Sequence, residues 1–352
     1  MTDDKSLPIL PMSDFDYELP HQLIAQVPLE RRDESRLLVL DRGKQDIQHA
    51  LFSSLPELLN PGDLLVFNDT RVIPARLLGH RVSGGKVEFL LLRRQANGWL
   101  ALAKPVARLR VGEQLLIDSR SVDRTSIATI IEKMDEGQVV IELDREISEH
   151  LGEFGRMPLP PYITTRLDDD ERYQTIYSRL EGSAAAPTAG LHFTPETLAQ
   201  LTKRGIETGF VTLHVGLDTF RPVTEEDARD HAIHREWCTV STEVIAQIAA
   251  TRQRRGRVVA VGTTTARTLE SWGQRVKYGN ASPYTGETDI YITPGYEWTV
   301  VDALFTNFHL PKSTLLLMVS ALAGRERVLD AYRQAVEQRY RFFSFGDAML
   351  IL

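Results

Sequence analysis

The feature that most restricts the fold is a crowd of short apolar runs between Leu64 and Leu143, at 64–67, 87–92, 99–103, 114–117, 127–131 and 139–143. Ser83-Gly84-Gly85, Asn97-Gly98 and Glu136-Gly137 supply turn signals between them. No stretch of helical length and period intervenes. Close, even spacing of strand-length runs, with turn residues between, reads as a small antiparallel barrel.

Outside this stretch the texture differs. An apolar run at 37–40 reads as a strand, 52–59 as a short helix, and Asn60-Pro61-Gly62-Asp63 as a turn. Beyond His150, Thr194-Pro195 reads as a capped helix start with a stop at Gly205, and 210–215 as a strand. A helix is expected over 242–254, a buried strand over 258–261, a second helix over 264–272 and a loop over 277–285. Strands alternating with helices imply an α/β layer. The expected architecture is therefore a mixed α/β domain built from residues 1–70 and 151–352, with the antiparallel β-barrel of 71–150 inserted.

Composition narrows the function. With 352 residues and 42% hydrophobic content the chain can bury a full core, and two domains are the default. A net charge of −7 argues against a protein that coats nucleic acid wholesale, while leaving room for a local basic patch. The single cysteine, Cys238, excludes an intramolecular disulfide framework and fits a reducing compartment. The first dozen residues hold Asp3, Asp4 and Lys5 without an apolar core, and no apolar run approaches membrane-spanning length. A cytoplasmic protein with no membrane partner is expected.

Five segments carry the chemistry. Asn68-Asp69-Thr70-Arg71 ends an apolar strand at the expected domain junction, as an Asx-type turn or a ligand-facing loop. In 187–194, small residues including Thr188 and Gly190 precede His192, Phe193 and a helix N-terminus, where free amides suit an anion. His214 and Asp218 end another strand as a histidine with a carboxylate that can fix its tautomer, although a satisfied core histidine has the same look. The run 258–267 joins a buried strand, Gly262 and a helix start at Thr263, Thr264 and Thr265, with Arg267 one turn in to clamp a carboxylate and Glu270 beyond it. The segment 305–314 reads as a loop in which Asn307, Phe308, His309 and Lys312 offer aromatic and polar groups to a flat base or a cation.

Other patterns weigh less. His231 and His234, with Glu236 and Cys238, match no standard tetrahedral spacing, so no metal is expected. Arginines at 252, 254, 255 and 257 and at 333, 339 and 341 read as solvated helix faces, or as phosphate contacts on an otherwise acidic chain. The P-loop, G-x-S-x-G, H-E-x-x-H and G-x-G-x-x-G signatures are missing, which disfavours ATPase, hydrolase, zincin and Rossmann oxidoreductase readings.

Taken together, the phrases NDTRVIPARL from Asn68, GRMPLPPYI from Gly155, YQTIYSRLEGSAAAPTAGLHFT from Tyr173, VTLHVGLDTFRPV from Val211, VVAVGTTTARTLES from Val258, TDIYITPGY from Thr288, LFTNFHLPKSTLLLMVSAL from Leu304 and YRFFSFGDAML from Tyr340 resemble the S-adenosylmethionine:tRNA ribosyltransferase-isomerase family of queuosine biosynthesis. The resemblance runs in order along nearly the whole chain. It departs in a front extension of about a dozen residues and in Ser183, where a larger apolar residue is expected. It implies a β-barrel joined to an α/β domain. It also implies an enzyme that moves the ribosyl part of S-adenosylmethionine, as a consumed substrate and not a cofactor, onto a 7-aminomethyl-7-deazaguanine at the tRNA wobble position. Adenine and methionine leave, and the product is epoxyqueuosine in tRNA.

On that footing a base is needed to abstract a proton beside the sulfonium. His192, His214 and His309 are the candidates, with Asp218 as orienter. Arg267 and the helix start at 263–265 would take the methionine carboxylate, and Phe193, Phe308 or Trp237 would face the sulfonium. A monomer is expected. The alternatives are a non-catalytic tRNA-binding module and a methyltransferase, the latter disfavoured by the missing glycine-rich turn.

Overall fold

The computed structural model describes residues 9–352 except 45, 136, 217–222, 234, 278 and 280. In chain order the strands are β1 (Arg36–Leu40), β2 (Ile47–Leu51), β3 (Leu64–Asn68), β4 (Thr70–Val72), β5 (Arg76–Arg81), β6 (Lys86–Gln95), β7 (Gly98–Lys104), β8 (Gln114–Asp118) and β9 (Thr125–Lys133). They continue as β10 (Gln138–Leu143), β11 (Gly155–Arg156), β12 (Leu180–Ser183), β13 (Glu207–Leu213), β14 (Glu236–Val240), β15 (Val258–Val261), β16 (Tyr284–Thr288), β17 (Ala303–Asn307) and β18 (Ala348–Ile351). The helices are α1 (Leu55–Leu58), α2 (Arg145–Glu149), α3 (Leu151–Phe154), α4 (Pro195–Lys203), α5 (Thr242–Gln253), α6 (Thr263–Lys277), α7 (Thr314–Ala323) and α8 (Arg325–Glu337).

Strands β5 to β10 close into the antiparallel barrel. Their order is β5-β6-β7-β10-β9-β8, and β8 returns to pair with β5 through Gly79 opposite Ile117. Alternation is the cause: along β6, Val87, Phe89 and Leu91 turn inward, and along β9 Ala128 and Ile130 do the same. At period two, one face of each strand fills the lumen and the other meets solvent.

Among the described residues the remaining long strands form one nine-stranded sheet, β16-β14-β13-β3-β15-β17-β18-β1-β2. Its central strands β13, β3, β15 and β17 are parallel. Strand β3 precedes the barrel in sequence yet sits at the centre, with Val66 opposite both Gly209 and Ala260. Both halves of the chain thus build one sheet. Successive residues feed opposite cores: Leu64, Val66, Val258, Ala260 and Leu304 face α6 to α8, while Leu65, Phe67, Val259, Val261 and Phe305 face the packing of Phe52, Phe193 and Leu201. Two-sided burial explains the unbroken apolar runs of β3 and β15.

The helix starts obey their sequence signals. Thr194 accepts from the Thr197 amide at 3.2 Å with Pro195 behind it, and Ser241 and Ser313 cap α5 and α7 in the same way. Two expectations are corrected. Residues 305–307 end strand β17 instead of lying in a loop, and β16 occupies 284–288, within and beyond the region read as loop. The barrel is tied back by the parallel pair β4–β12, by β11 on β5, and by the Gln174 amide, which brackets the backbone of Val72 at 2.8 and 3.1 Å. No described helix is long and apolar enough to cross a membrane.

Candidate functional site

Parallel strands leave their carboxyl ends along one edge, where the turns into helices open a crevice. Asn68, Leu213, Gly262 and Asn307 mark that edge. The antiparallel strands enter from it, so Glu236, Ser344 and Ser35, at or just before the starts of β14, β18 and β1, arrive there too.

Two adjoining cavities lie along the edge. One, of about 740 Å³, is lined by Thr188, Thr263, Thr264, Asn307, Phe308 and His309 together with Tyr162, Phe343, Ser344 and several small apolar side chains. The other, of about 600 Å³, holds Arg267, Glu236, His231, Tyr291 and Met318. Leu315 lines both, and consecutive Val215 and Gly216 line one each. Helix α6 serves both: its first turn meets the larger cavity, and Arg267, one turn on and on the same face, meets the smaller.

Arg267 is the most unusual group. It is 5% exposed, and its Nη1 pairs with Glu236, whose Oε1 in turn accepts from the Gly216 amide at 2.8 Å. Its Nε and Nη2 are buried without a hydrogen-bond partner among the described residues. Buried donors are normally satisfied, so two free donors on one guanidinium beside a cavity mark a place for a planar bidentate anion.

The larger cavity is apolar with fixed polar points. Asn307 Nδ2 donates to the Phe343 carbonyl at 3.2 Å and lies 3.1 Å from His192 Nε2, while its Oδ1 accepts from the Thr188 hydroxyl at 3.1 Å. On the other wall, Asn68 Nδ2 donates to the Leu213 carbonyl at 3.0 Å and to Thr264 Oγ1 at 3.2 Å. Phe343 holds a φ of 70°, a strained conformation for a bulky residue, in the segment that forms the floor.

The three histidines differ. His192 is bonded on both sides, with Nδ1 2.7 Å from Ser35 Oγ and Nε2 against Asn307, and it lies off both cavities. Burial, with Arg341 and Arg32 nearby, pushes its pKa down to about 3, so it is neutral. His309 lines the larger cavity with Nε2 2.9 Å from Thr306 Oγ1, and burial also lowers it to about 3. His214 stacks on half-buried Trp237 at 4.8 Å with Nδ1 2.8 Å from Thr70 Oγ1; burial lowers its pKa and the charge of Asp69 works against that. Asp218 lies outside the described residues.

Several other sequence candidates sit away from the cavities in structural bonds. Asp69 takes Arg179 at 2.8 Å and Thr212 at 2.6 Å, and Arg71 pairs with Glu171. Asn68 and Thr70 form the Asx turn, the Thr70 amide donating to Asn68 Oδ1 at 3.2 Å. Phe193 packs on Phe52 and Phe67 in the core, and Thr265 returns its hydroxyl to the Val261 carbonyl at 2.7 Å. A Cβ on Gly190 would lie 2.0 Å from the Tyr177 hydroxyl, so packing demands that glycine. Lys312 pairs with Asp16 at 2.8 Å. Glu270 is fully buried under five donors from Tyr296 and residues 299–301.

The arginine groups change meaning too. Arg252, Arg254 and Arg257 bind Asp302, Glu207 and Asp63 near the amino ends of the parallel strands, at the edge opposite the cavities. Arg333 pairs with Asp330 on its own helix. His231 pairs with Glu225 at 3.0 Å, His234 is outside the described residues, and no described group of three or more His, Cys, Asp or Glu is arranged to hold a metal. Tyr162, Phe343 and Ser344 were missed as lining residues because nothing local marks them; the positive φ at Phe343 becomes visible only in the fold.

A crevice at the carboxyl edge of a mixed sheet, largely apolar at one end and with a buried guanidinium held by Glu236 at the other, defines an α/β protein with a small-molecule-sized cleft and a β-barrel attached. The profile of a family described as "Queuosine biosynthesis protein" matches residues 12–351, and the chain belongs to that family. It is 54% identical to the S-adenosylmethionine:tRNA ribosyltransferase-isomerase of Symbiobacterium thermophilum and 52% identical to that of Acetivibrio thermocellus, in each case over 97% of this chain and 99% of the relative. A crystal structure of S-adenosylmethionine tRNA ribosyltransferase from Thermotoga maritima is 40% identical, covers 97% of this chain and 100% of its own, and superposes with a TM-score of 0.56. The chain is therefore an enzyme of the transferase-isomerase type.

Proposed function

We propose that the chain transfers and isomerises the ribosyl moiety of S-adenosylmethionine onto 7-aminomethyl-7-deazaguanine at the wobble position of tRNA, giving epoxyqueuosine, adenine and methionine. The observation that carries the substrate reading is the Nε/Nη2 edge of Arg267, free among the described residues, in a cavity adjoining a largely apolar, threonine-bearing one. An amino-acid carboxylate takes the first, and a nucleoside takes the second. The sulfonium then sits between them near Phe308, where an aromatic face favours a cation.

The chemistry begins with proton loss from the ribose carbon next to sulfur. We assign the base to His214, which lines neither cavity but is less deeply buried than His192 and His309 and whose Nε2 has no hydrogen-bond partner among the described residues. Loss of adenine, attack by the substrate amine and closure of the sugar as methionine leaves complete the reaction. Half-buried Trp237, stacked on His214, supports a base splayed out of the anticodon loop. The barrel of 71–150 acts as a separate unit that helps grip the tRNA, and the protein acts as a monomer in the cytoplasm.

The test is incubation of the purified protein with S-adenosylmethionine and tRNA bearing the aminomethyl base. Stoichiometric adenine and methionine with an epoxycyclopentane-bearing nucleoside are expected. Tight tRNA binding without adenine release favours a non-catalytic tRNA-binding module, and S-adenosylhomocysteine favours a methyltransferase.

A further inference from the structure

We propose that the larger cavity reads the amidine edge of adenine, its exocyclic amine and a neighbouring ring nitrogen, through the hydroxyls of Thr188 and Thr264. On this proposal the buried chain Ser35–His192–Asn307 acts to fix the polarity of the first. This rests on S-adenosylmethionine being the ligand. It adds which end of that ligand lies where, and what makes the site choose adenine.

The argument is one of hydrogen-bond direction. The Phe343 carbonyl can only accept, so the atom of Asn307 facing it is the amide nitrogen. That nitrogen also faces His192 Nε2, which must then be the unprotonated ring nitrogen, leaving Nδ1–H to donate to Ser35 Oγ at 2.7 Å. Buried, neutral His192 is consistent with this single tautomer. Asn307 Oδ1 is thereby turned to Thr188, and the Thr188 hydroxyl donates to it at 3.1 Å. What Thr188 has left for the cavity is lone pairs, so toward a ligand it is an acceptor.

Thr264 has the opposite sign. Asn68 is fixed by backbone on both sides, its Oδ1 accepting from the Leu213 amide at 3.0 Å and from the Thr70 amide, and its nitrogen donating to the Leu213 carbonyl. Its second amide hydrogen goes to Thr264 Oγ1 at 3.2 Å. Thr265 and Thr268 return their hydroxyls to carbonyls four residues back, whereas the Thr264 hydroxyl has no acceptor among the described residues. It is free to donate into the cavity that it lines.

The acceptor at Thr188 and the donor at Thr264 match adenine, which offers an amino hydrogen next to a ring lone pair; of the pocket's other hydroxyls, those of Thr306, Ser313 and Ser344 are engaged within the protein. The 2-amino-6-oxo edge of the tRNA base presents two kinds of N–H donor beside its carbonyl, and the base carries a cationic aminomethyl arm. Among the described residues no Asp or Glu lines this cavity to receive them. Adenine here also leaves the carboxylate end of the same molecule pointing past Val215 and Gly216 to Arg267.

The experiment measures Kd, without tRNA, for S-adenosylmethionine and for its 6-deamino analogue, in which the purine carries hydrogen at C6. The native protein is expected to prefer the amine by about 10-fold or more, because the analogue offers no N–H to the Thr188 lone pair. In Thr188→Val the preference falls to near unity while the KM for tRNA is unchanged, and Thr188→Ser restores it. Asn307→Leu, which frees the Thr188 hydroxyl to turn, also lowers the preference, with folding confirmed by its melting curve. An undiminished preference in Thr188→Val, or a raised KM for tRNA with the purine preference intact, overturns the inference. Discrimination that behaves as expected in a protein releasing no adenine leaves the adenine pocket standing and removes the proposed reaction instead.

Discussion

Glu270→Gln separates a structural carboxylate from a substrate-binding one. In the native protein Oε1 accepts from the amides of Val300 and Val301 at 2.9 and 2.8 Å. Oε2 accepts from the Thr299 amide and hydroxyl at 2.9 and 2.7 Å and from the Tyr296 hydroxyl at 2.9 Å. Glutamine replaces one oxygen by NH2. On the Oε1 side the amine would confront two backbone N–H groups that cannot reverse, but on the Oε2 side two of the three partners are hydroxyls able to accept. The variant therefore places its amine there and orphans one buried N–H, at about 1–3 kcal/mol. The surviving bonds to the carboxylate become neutral ones and weaken as well, so the total is about 3–5 kcal/mol. In a chain of this size that lowers Tm by about 4–7 °C. Calorimetric melting together with the KM for S-adenosylmethionine in the folded enzyme is the assay. A Tm within about 1 °C of the native value, or a raised KM with Tm unmoved, refutes the assignment of Glu270 to structure.

Three further outcomes follow from the same structure. Arg267→Lys keeps the charge beside Glu236 but lacks the planar fork, so the Kd for S-adenosylmethionine should rise by about 10- to 100-fold in calorimetric titration; a change below about twofold removes the carboxylate clamp. His192 and His309 have folded pKa values near 3, below the unfolded value near 6.5, so protons bind preferentially to the unfolded chain between those limits. Stability from each is complete above about pH 6.5 and declines as pH falls, by about 2 kcal/mol per histidine at pH 5, and urea titrations at pH 7 and 5 should show His192→Gln losing about half of that combined dependence. In Gly182→Ala the new Cβ would lie 2.8 Å from His214 Nε2 at a φ of 147°, displacing the imidazole from Trp237. With His214 as the base, kcat should fall by about 100-fold in the adenine-release assay, and an unaltered kcat argues for another base.

Local sequence determined the elements whose cause is local. The β-barrel was legible because alternation and turn residues act over a few positions, as along Val87, Phe89 and Leu91. The starts of α4 and α6 were legible because a cap or a glycine turn is written beside the helix that it begins. Strand β18 and helix α7 were not assigned, since a buried apolar run has no period that separates strand from helix; α8 was also left unassigned, although Val328, Ala331, Tyr332 and Ala335 carry a helical period.

The site divides along the same line. Thr188, Thr263, Thr264, Arg267, Asn307, Phe308 and His309 stood out in sequence because small, polar and aromatic residues interrupt apolar runs at strand ends, where a parallel sheet opens its crevice. Residue type cannot say which way a side chain faces. Thr265 turns into the helix and Thr264 into the cavity, although they are neighbours in one run of threonines. Glu270 and Arg267 share a helix, yet one is saturated by backbone amides of residues 299–301 and the other keeps two donors free. Those differences depend on partners tens to hundreds of residues away: Asn68 for Thr264, Asn307 for Thr188, Ser35 for His192. The sequence by itself determined which chemical groups the crevice has to work with. Tertiary structure alone decided which are satisfied by the protein and which are left for a ligand, because a hydrogen bond is directional and its second partner is chosen by the fold.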